Sequence, residues 1–541
     1  MYPLTVHWSC LLVVSAVCTV SGTSPYALRW SDKSFGPDGP WHAVSVAIGN
    51  PGQDIALYPG GSWESQILLT STCDNTTVSS VCYGNYAGLF NNGASDTYDN
   101  SSIQLLINYA GPGKLNSFGM ADAIPLYGEE GYAYDYVDLF GSKVPNVSMF
   151  GISGIYQTYP GGQNYPVEVG VLAFGGPSIN QSFANTGSAS INTSLINGYL
   201  YSQGTTASNS YGLHIGSVNC DISGSALLGG YDQSRVLGDV SAQAYNSGSF
   251  PIQLLDINIG VVSGGSPWTY SNKSGLLGEN NSTLSLGTTV HASPPDPYIY
   301  LPQSTCDAIA SELPVTYQSD FGLYFWNTSD HRYSQIVTAS TYLGFTFRKN
   351  SLNIANITIK VPFALLNLTL AAFVGVNWGT GTGNWFLAQA PGPNMGTSTP
   401  VTIQEADTTI KGSSSSWEDS WAPYWTELPA SSTSSTAIAT AVATHQSTAK
   451  ESAAGGLSVG AKIAIAVPCS VAAIGLVISA VWFLYRRRSR KQVEELSKYT
   501  AVMSYRGSKT DDPGPRYELG LGRAPRYELG LQEPNRVYEL S

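Results

Sequence analysis

Between residues 25 and 427 the sequence predicts an all-β domain, and three observations carry that expectation. Short runs of Val, Ile, Leu and Tyr recur with few helical patterns among them. Gly, Asn, Ser and Pro break these runs at short intervals. Several runs alternate apolar and polar residues like half-buried strands. Met1 to about Gly22 precedes the domain and holds an apolar run, Leu11 to Val20, that ends in small residues, so it reads as a secretory signal. "HAVSVAIG" (42–49) and "DIALYPG" (54–60) read as paired strands, and "ADAIPLYG" (121–128) and "SALLGGYD" (225–232) as others. "CDAIASELPV" (306–315) is one of few helical turns. Residues 428–460 collapse to mostly Ser, Thr, Ala and Gly, which bury too little apolar surface to order themselves, so a stalk is expected there.

A second apolar run, Ile463 to Tyr485, holds 23 residues without a charge, enough to cross a bilayer as one helix; the span is placed at 461–485. "RRRSRK" (486–491) comes at once after it and assigns the tail, 486–541, to the cytoplasmic side of a plasma membrane. Charge divides at the same boundary. The tail holds 12 of the 25 Lys and Arg and 8 of the 37 Asp and Glu, so it is +4 and the rest of the chain is −16. So acidic an exterior part offers no footprint for nucleic acid. The tail also carries a near-repeat of ten residues centred on Tyr517, Tyr527 and Tyr538, each followed by Glu-Leu, which reads as an array of linear motifs for a cytoplasmic partner.

Four cysteines fall in the β region: Cys73, Cys82, Cys220 and Cys306. An even number in an oxidising compartment predicts two disulfides. Three connectivities are open; the short Cys73–Cys82 loop favours that pair together with Cys220–Cys306, and the spacing fits no zinc site. Asn-x-Ser/Thr sites at Asn75, Asn100, Asn146, Asn180, Asn192, Asn272, Asn280, Asn281, Asn327, Asn356 and Asn367 predict a glycosylated surface.

The motifs then converge. "VAIGNPGQDIALYPGGS" (46–62) resembles the first active-site hairpin of the pepsin-like aspartic proteases, the peptidase A1 family, which reads Ile-Gly-Thr-Pro-x-Gln and then Asp-Thr-Gly-Ser. "INYAGPG" (107–113) resembles the family's flap, with Tyr109 at the flap tyrosine, and "FGMADAIPL" (118–126) the strand after it. "SGSALLGGYDQSRVLGDV" (223–240) resembles the segment opening the second lobe in fungal members, and "PYIYLPQSTCDAIASELPV" (297–315) the segment after the second catalytic aspartate. The resemblance covers about residues 36–410 and implies a bilobal all-β fold, an N-lobe of about 36–205 and a C-lobe of about 206–427 within 23–427, with one aspartate from each lobe at the floor of a cleft.

Such a dyad works because two carboxylates held close together cannot both ionise: one takes the proton of water while the other polarises the carbonyl. This sequence departs from the pattern at both positions. Ungapped comparison puts Gly60 at the first aspartate and Ser293 at the second, with Pro294 and Pro295 next in the chain. Asp296 lies three positions late, ~10 Å along an extended chain. Asp54 and Glu64 are expected to be solvated loop charges. A Ser/His site built on Ser62 with His214, His291 or His331 lacks a strand-to-helix elbow with Gly two residues to either side of the serine, and the Gly-rich run 379–384 lacks a P-loop lysine. No cofactor or metal is implied. The sequence therefore points to a surface glycoprotein with a protease-like ectodomain that binds peptide or wall polymer, with Tyr109, Trp63, Tyr298 and Tyr300 near the cleft. An acid endopeptidase with its acids elsewhere and a structural wall spacer are the alternatives.

Overall fold

A computed structural model of the chain describes residues 24–429 and 537–540, apart from position 80 and the internal segments 37–39, 75–78, 104–112, 115–125, 184–189, 246–248, 296–298, 351–354, 366–370 and 380–382. The signal, the span and nearly all of the stalk and tail lie outside the described residues. Among the described residues, no helix is long and apolar enough to cross a membrane. The described residues all fall within one compact unit.

This unit is built mostly of β-strands. Trp41–Ile48 and Gln53–Ser62 pair antiparallel, Val44 opposite Leu57 and Ile48 opposite Gln53, as the alternation predicts. The reversal between them needs Gly49, whose φ of 90° is open to glycine at little cost. This hairpin lies within an eleven-stranded sheet drawn wholly from residues 30–194. Its second strand also pairs in parallel with Gly170–Gly175, while Leu126–Asp138 and Lys143–Thr158 form a long twisted hairpin across the same sheet.

Two further sheets complete the frame. A six-stranded sheet runs Tyr26–Ala27, Ser225–Leu228, Ser210–His214, Ala372–Asn377, Asn384–Gln389 and Leu237–Ala244, so it gathers strands from the start, middle and end of the unit. A five-stranded sheet centres on Phe250–Val261, flanked by Thr341–Arg348 and by Thr288–Ala292. One continuous apolar core joins all three, and its centre is a chain of buried rings. Phe174 meets Tyr211 at 4.8 Å between centroids, and Tyr211 meets Trp378 at 5.6 Å. Burying rings of this size contributes roughly 2–3 kcal/mol each.

The helix Gln303–Glu312 begins three residues before the predicted turn, directly after Pro302, and buries Thr305, Cys306, Ala308 and Ile309 against the core. The short strand Ile299–Pro302 precedes it. A four-stranded sheet orders this strand beside Val537–Leu540, then Leu323–Trp326 and Val315–Gln318.

Candidate functional site

Gly60 and Ser293, the two positions singled out in the sequence, are carried to one place by different sheets. Gly60 sits near the end of the Gln53–Ser62 strand at φ 104°, a conformation that side-chain-bearing L-residues rarely adopt. Ser293 comes directly after the Thr288–Ala292 strand, and Pro294 ends that ladder because it has no N–H to donate. Pro294 is buried and presses on the first strand. A Cβ placed on Gly60 would stand 2.7 Å from Pro294 Cβ and 2.8 Å from Leu213 Cδ2. At this point the first strand and the turn after the second meet through apolar contact.

Beneath Pro294 lies a cavity of about 150 Å³ between the six-stranded and five-stranded sheets. Leu213, Val374 and Leu387 wall it from one side, and Ile252, Phe345 and Ile359 from the other. None of its lining residues carries a carboxylate. Sequence patterns hold no signal for it, because its walls come from eight separate strands.

The candidate acids have other occupations. Glu64, expected as a solvated charge, is half-buried instead, and its Oε1 accepts a 2.7 Å hydrogen bond from Gln181 Nε2. Desolvation raises its pKa above the usual carboxylate value, with the Gln181 bond opposing. Asp54 is exposed, as expected. Among the described residues two aspartates are fully buried, and both are saturated with donors. Asp135 accepts from Ser95 Oγ at 2.8 Å, Thr97 Oγ1 at 2.6 Å and the Tyr136 N–H at 2.7 Å. Asp232 accepts from Ser398 Oγ at 2.7 Å and the Thr399 N–H at 2.8 Å, and lies 3.5 Å from Arg235 Nε. Burial pushes the Asp232 pKa up, and these hydrogen bonds outweigh it, so the carboxyl titrates below its ordinary value. It pins the 398–399 segment and stays ionised, which unfits it to be the protonated half of a dyad.

Tyr109, Asp296 and Tyr298 lie outside the described residues. The Trp63 ring lies over Gly176, where an added Cβ would come within 3.0 Å of it. Tyr300 is half-buried at the cavity. The histidines are dispersed: His214 is buried within its strand, while His291 and His331 are exposed. The 379–384 run connects the hairpin strands Ala372–Asn377 and Asn384–Gln389. Among the described residues no group of His, Cys, Asp and Glu is placed to hold a metal ion.

Cys73 and Cys82 are joined, as the spacing favours. The expected Cys220–Cys306 bridge is not formed, and neither cysteine is in a disulfide. Cys306 is buried on the inner face of its helix near the Leu301 carbonyl, whereas Cys220 packs in a separate cluster with Ile222 and Trp417. Burial raises the pKa of the Cys220 thiol. Of the predicted glycosylation positions, Asn75 and Asn367 lie outside the described residues. Asn100, Asn146, Asn180, Asn192, Asn272, Asn280, Asn327 and Asn356 are exposed. Asn281 is half-buried and caps the 282–284 turn by accepting from the Thr283 N–H.

No protein-family model matches the chain, and no curated protein matches it.

Proposed function

We propose that the chain is a single-pass cell-surface glycoprotein whose β unit is built like a pepsin-like aspartic protease, lacks the carboxylate pair, and binds a peptide or wall polymer instead of cutting it. The observation that carries this reading is the meeting of Gly60 with Pro294. Strands of two different sheets deliver the positions that resemble the family's acids to one point, and that point is occupied by glycine against proline. The separation of the sheets along the chain, the eleven-stranded one drawn from residues 30–194 and the five-stranded one from 250–362, supports the bilobal resemblance. Without two carboxylates sharing a proton, water at this point has no base and a bound carbonyl has no acid.

The deciding experiment is hydrolysis of a peptide library by the purified protein at acid pH, with and without a statine-type inhibitor. No inhibitor-sensitive cleavage is expected; ordinary turnover abolished by the inhibitor would overturn the reading. Glu64, with its raised pKa four residues beyond Gly60, is the observation that favours a second reading, an acid endopeptidase. In that case Glu64→Gln would abolish the cleavage.

A further inference from the structure

The cavity under Pro294 has the size and lining of a ligand site. An enclosed cavity of about 150 Å³ lined by Leu, Ile and Phe holds a benzene-sized molecule, and the space here has that volume and a similar apolar lining. Its walls here are aliphatic and aromatic, and none of the lining side chains is a carboxylate, Lys or Arg, so an ionised guest would lose its hydration without finding a counter-charge. Polar groups enter only at one side, where His291 and Ser293 lie two residues apart along the chain and Tyr300 also lines the space. Ser293 is half-buried and His291 exposed, so this polar side faces solvent while the aliphatic walls lie inside.

We propose that this cavity binds a small uncharged molecule with an apolar body of about six to ten heavy atoms and a single hydroxyl end, the class of phenols and short alcohols. The apolar body fills the space between the two sheets, and the hydroxyl lies at Ser293 and His291. The site does not depend on the cleft binding peptide, so it stands or falls separately from the reading above. It does use the same substitution: the residue that stands where the family carries its second acid becomes the polar handle of an apolar pocket.

The test uses the full-length chain in detergent, with thermal melting and calorimetric titration against phenol, 1-hexanol, benzene and hexanoate. Phenol, 1-hexanol and benzene are expected to raise the melting temperature saturably, and hexanoate to leave it unchanged. Val290→Phe places a ring in the space from a half-buried wall position and is expected to abolish the shifts. Ser293→Ala keeps the volume and is expected to weaken phenol binding about three- to tenfold while leaving benzene unaffected. Absence of any saturable shift would overturn the proposal, as would shifts that survive Val290→Phe. Should that variant fail to fold, Ser293→Ala decides: equal weakening of phenol and benzene, or of neither, overturns it.

Discussion

An L-side chain at position 60 meets two obstacles at once, the φ of 104° and the Pro294 and Leu213 carbons standing 2.7 and 2.8 Å from its Cβ. Gly60→Asp is therefore expected to destabilise the protein on the order of 3 kcal/mol, combining backbone strain with overpacking. Urea denaturation of the variant and the parent measures it. Joined with Ser293→Asp, the substitution is expected to restore no acid-pH peptide cleavage. A stable, cleaving double variant would mean that the two strands retain the separation a dyad needs. Counting from the runs on either side of Gly60 and from "YIYLP" after Ser293 singled out these two positions, and what the structure adds is that Gly60 lies against Pro294. The burial of Glu64 was not legible in the sequence. Its partner Gln181 lies 117 residues away, beyond the reach of any local pattern.

At the scale of elements, periodicity served where contacts are local. The 41–62 hairpin and the strands within 225–232 follow from alternation, and the helix after Pro302 from its spacing, displaced by three residues at its start. The parallel pairing of Gln53–Ser62 with Gly170–Gly175, and the docking of Tyr26–Ala27 on Ser225–Leu228, leave no trace in either local sequence, since register there is set by partners more than 100 residues distant. Cysteine pairing shows the same division. The nine-residue Cys73–Cys82 separation is a local constraint, whereas the even count that pointed to Cys220–Cys306 carried no information on where the helix would bury Cys306. Alkylation of the denatured, unreduced protein is expected to label Cys220 and Cys306, and Cys73 and Cys82 only after reduction. Removing the bridge by Cys73→Ala with Cys82→Ala is expected to cost about 2–3 kcal/mol. A recovered Cys220–Cys306 peptide would contradict the separate packing of the two thiols.

For the whole molecule, the C-terminal strand and the proposed membrane span make opposing demands. Val537–Leu540 lies between Ile299–Pro302 and Leu323–Trp326, with Leu301 opposite Tyr538, and in that position the tail shares a compartment with the β unit. A helix at 461–485 stopped by "RRRSRK" puts the tail on the other side. For the proposed span once inserted, the magnitudes put its topology above the strand pairing. Four residues of strand pairing contribute a few kcal/mol, at about 1 kcal/mol per net hydrogen bond. Carrying one Lys or Arg through the bilayer centre costs about 2.5–3.5 kcal/mol, and the stop sequence alone holds five of them. In the membrane-inserted protein the tail is thus expected to be withdrawn and the edges of Ile299–Pro302 and Leu323–Trp326 open to another extended chain. An epitope appended after Ser541 checks this on intact cells. Antibody should reach it only after permeabilisation, while one against the β unit binds before. A tag stained from outside would leave the strand in its slot and remove the cytoplasmic role of Tyr517, Tyr527 and Tyr538.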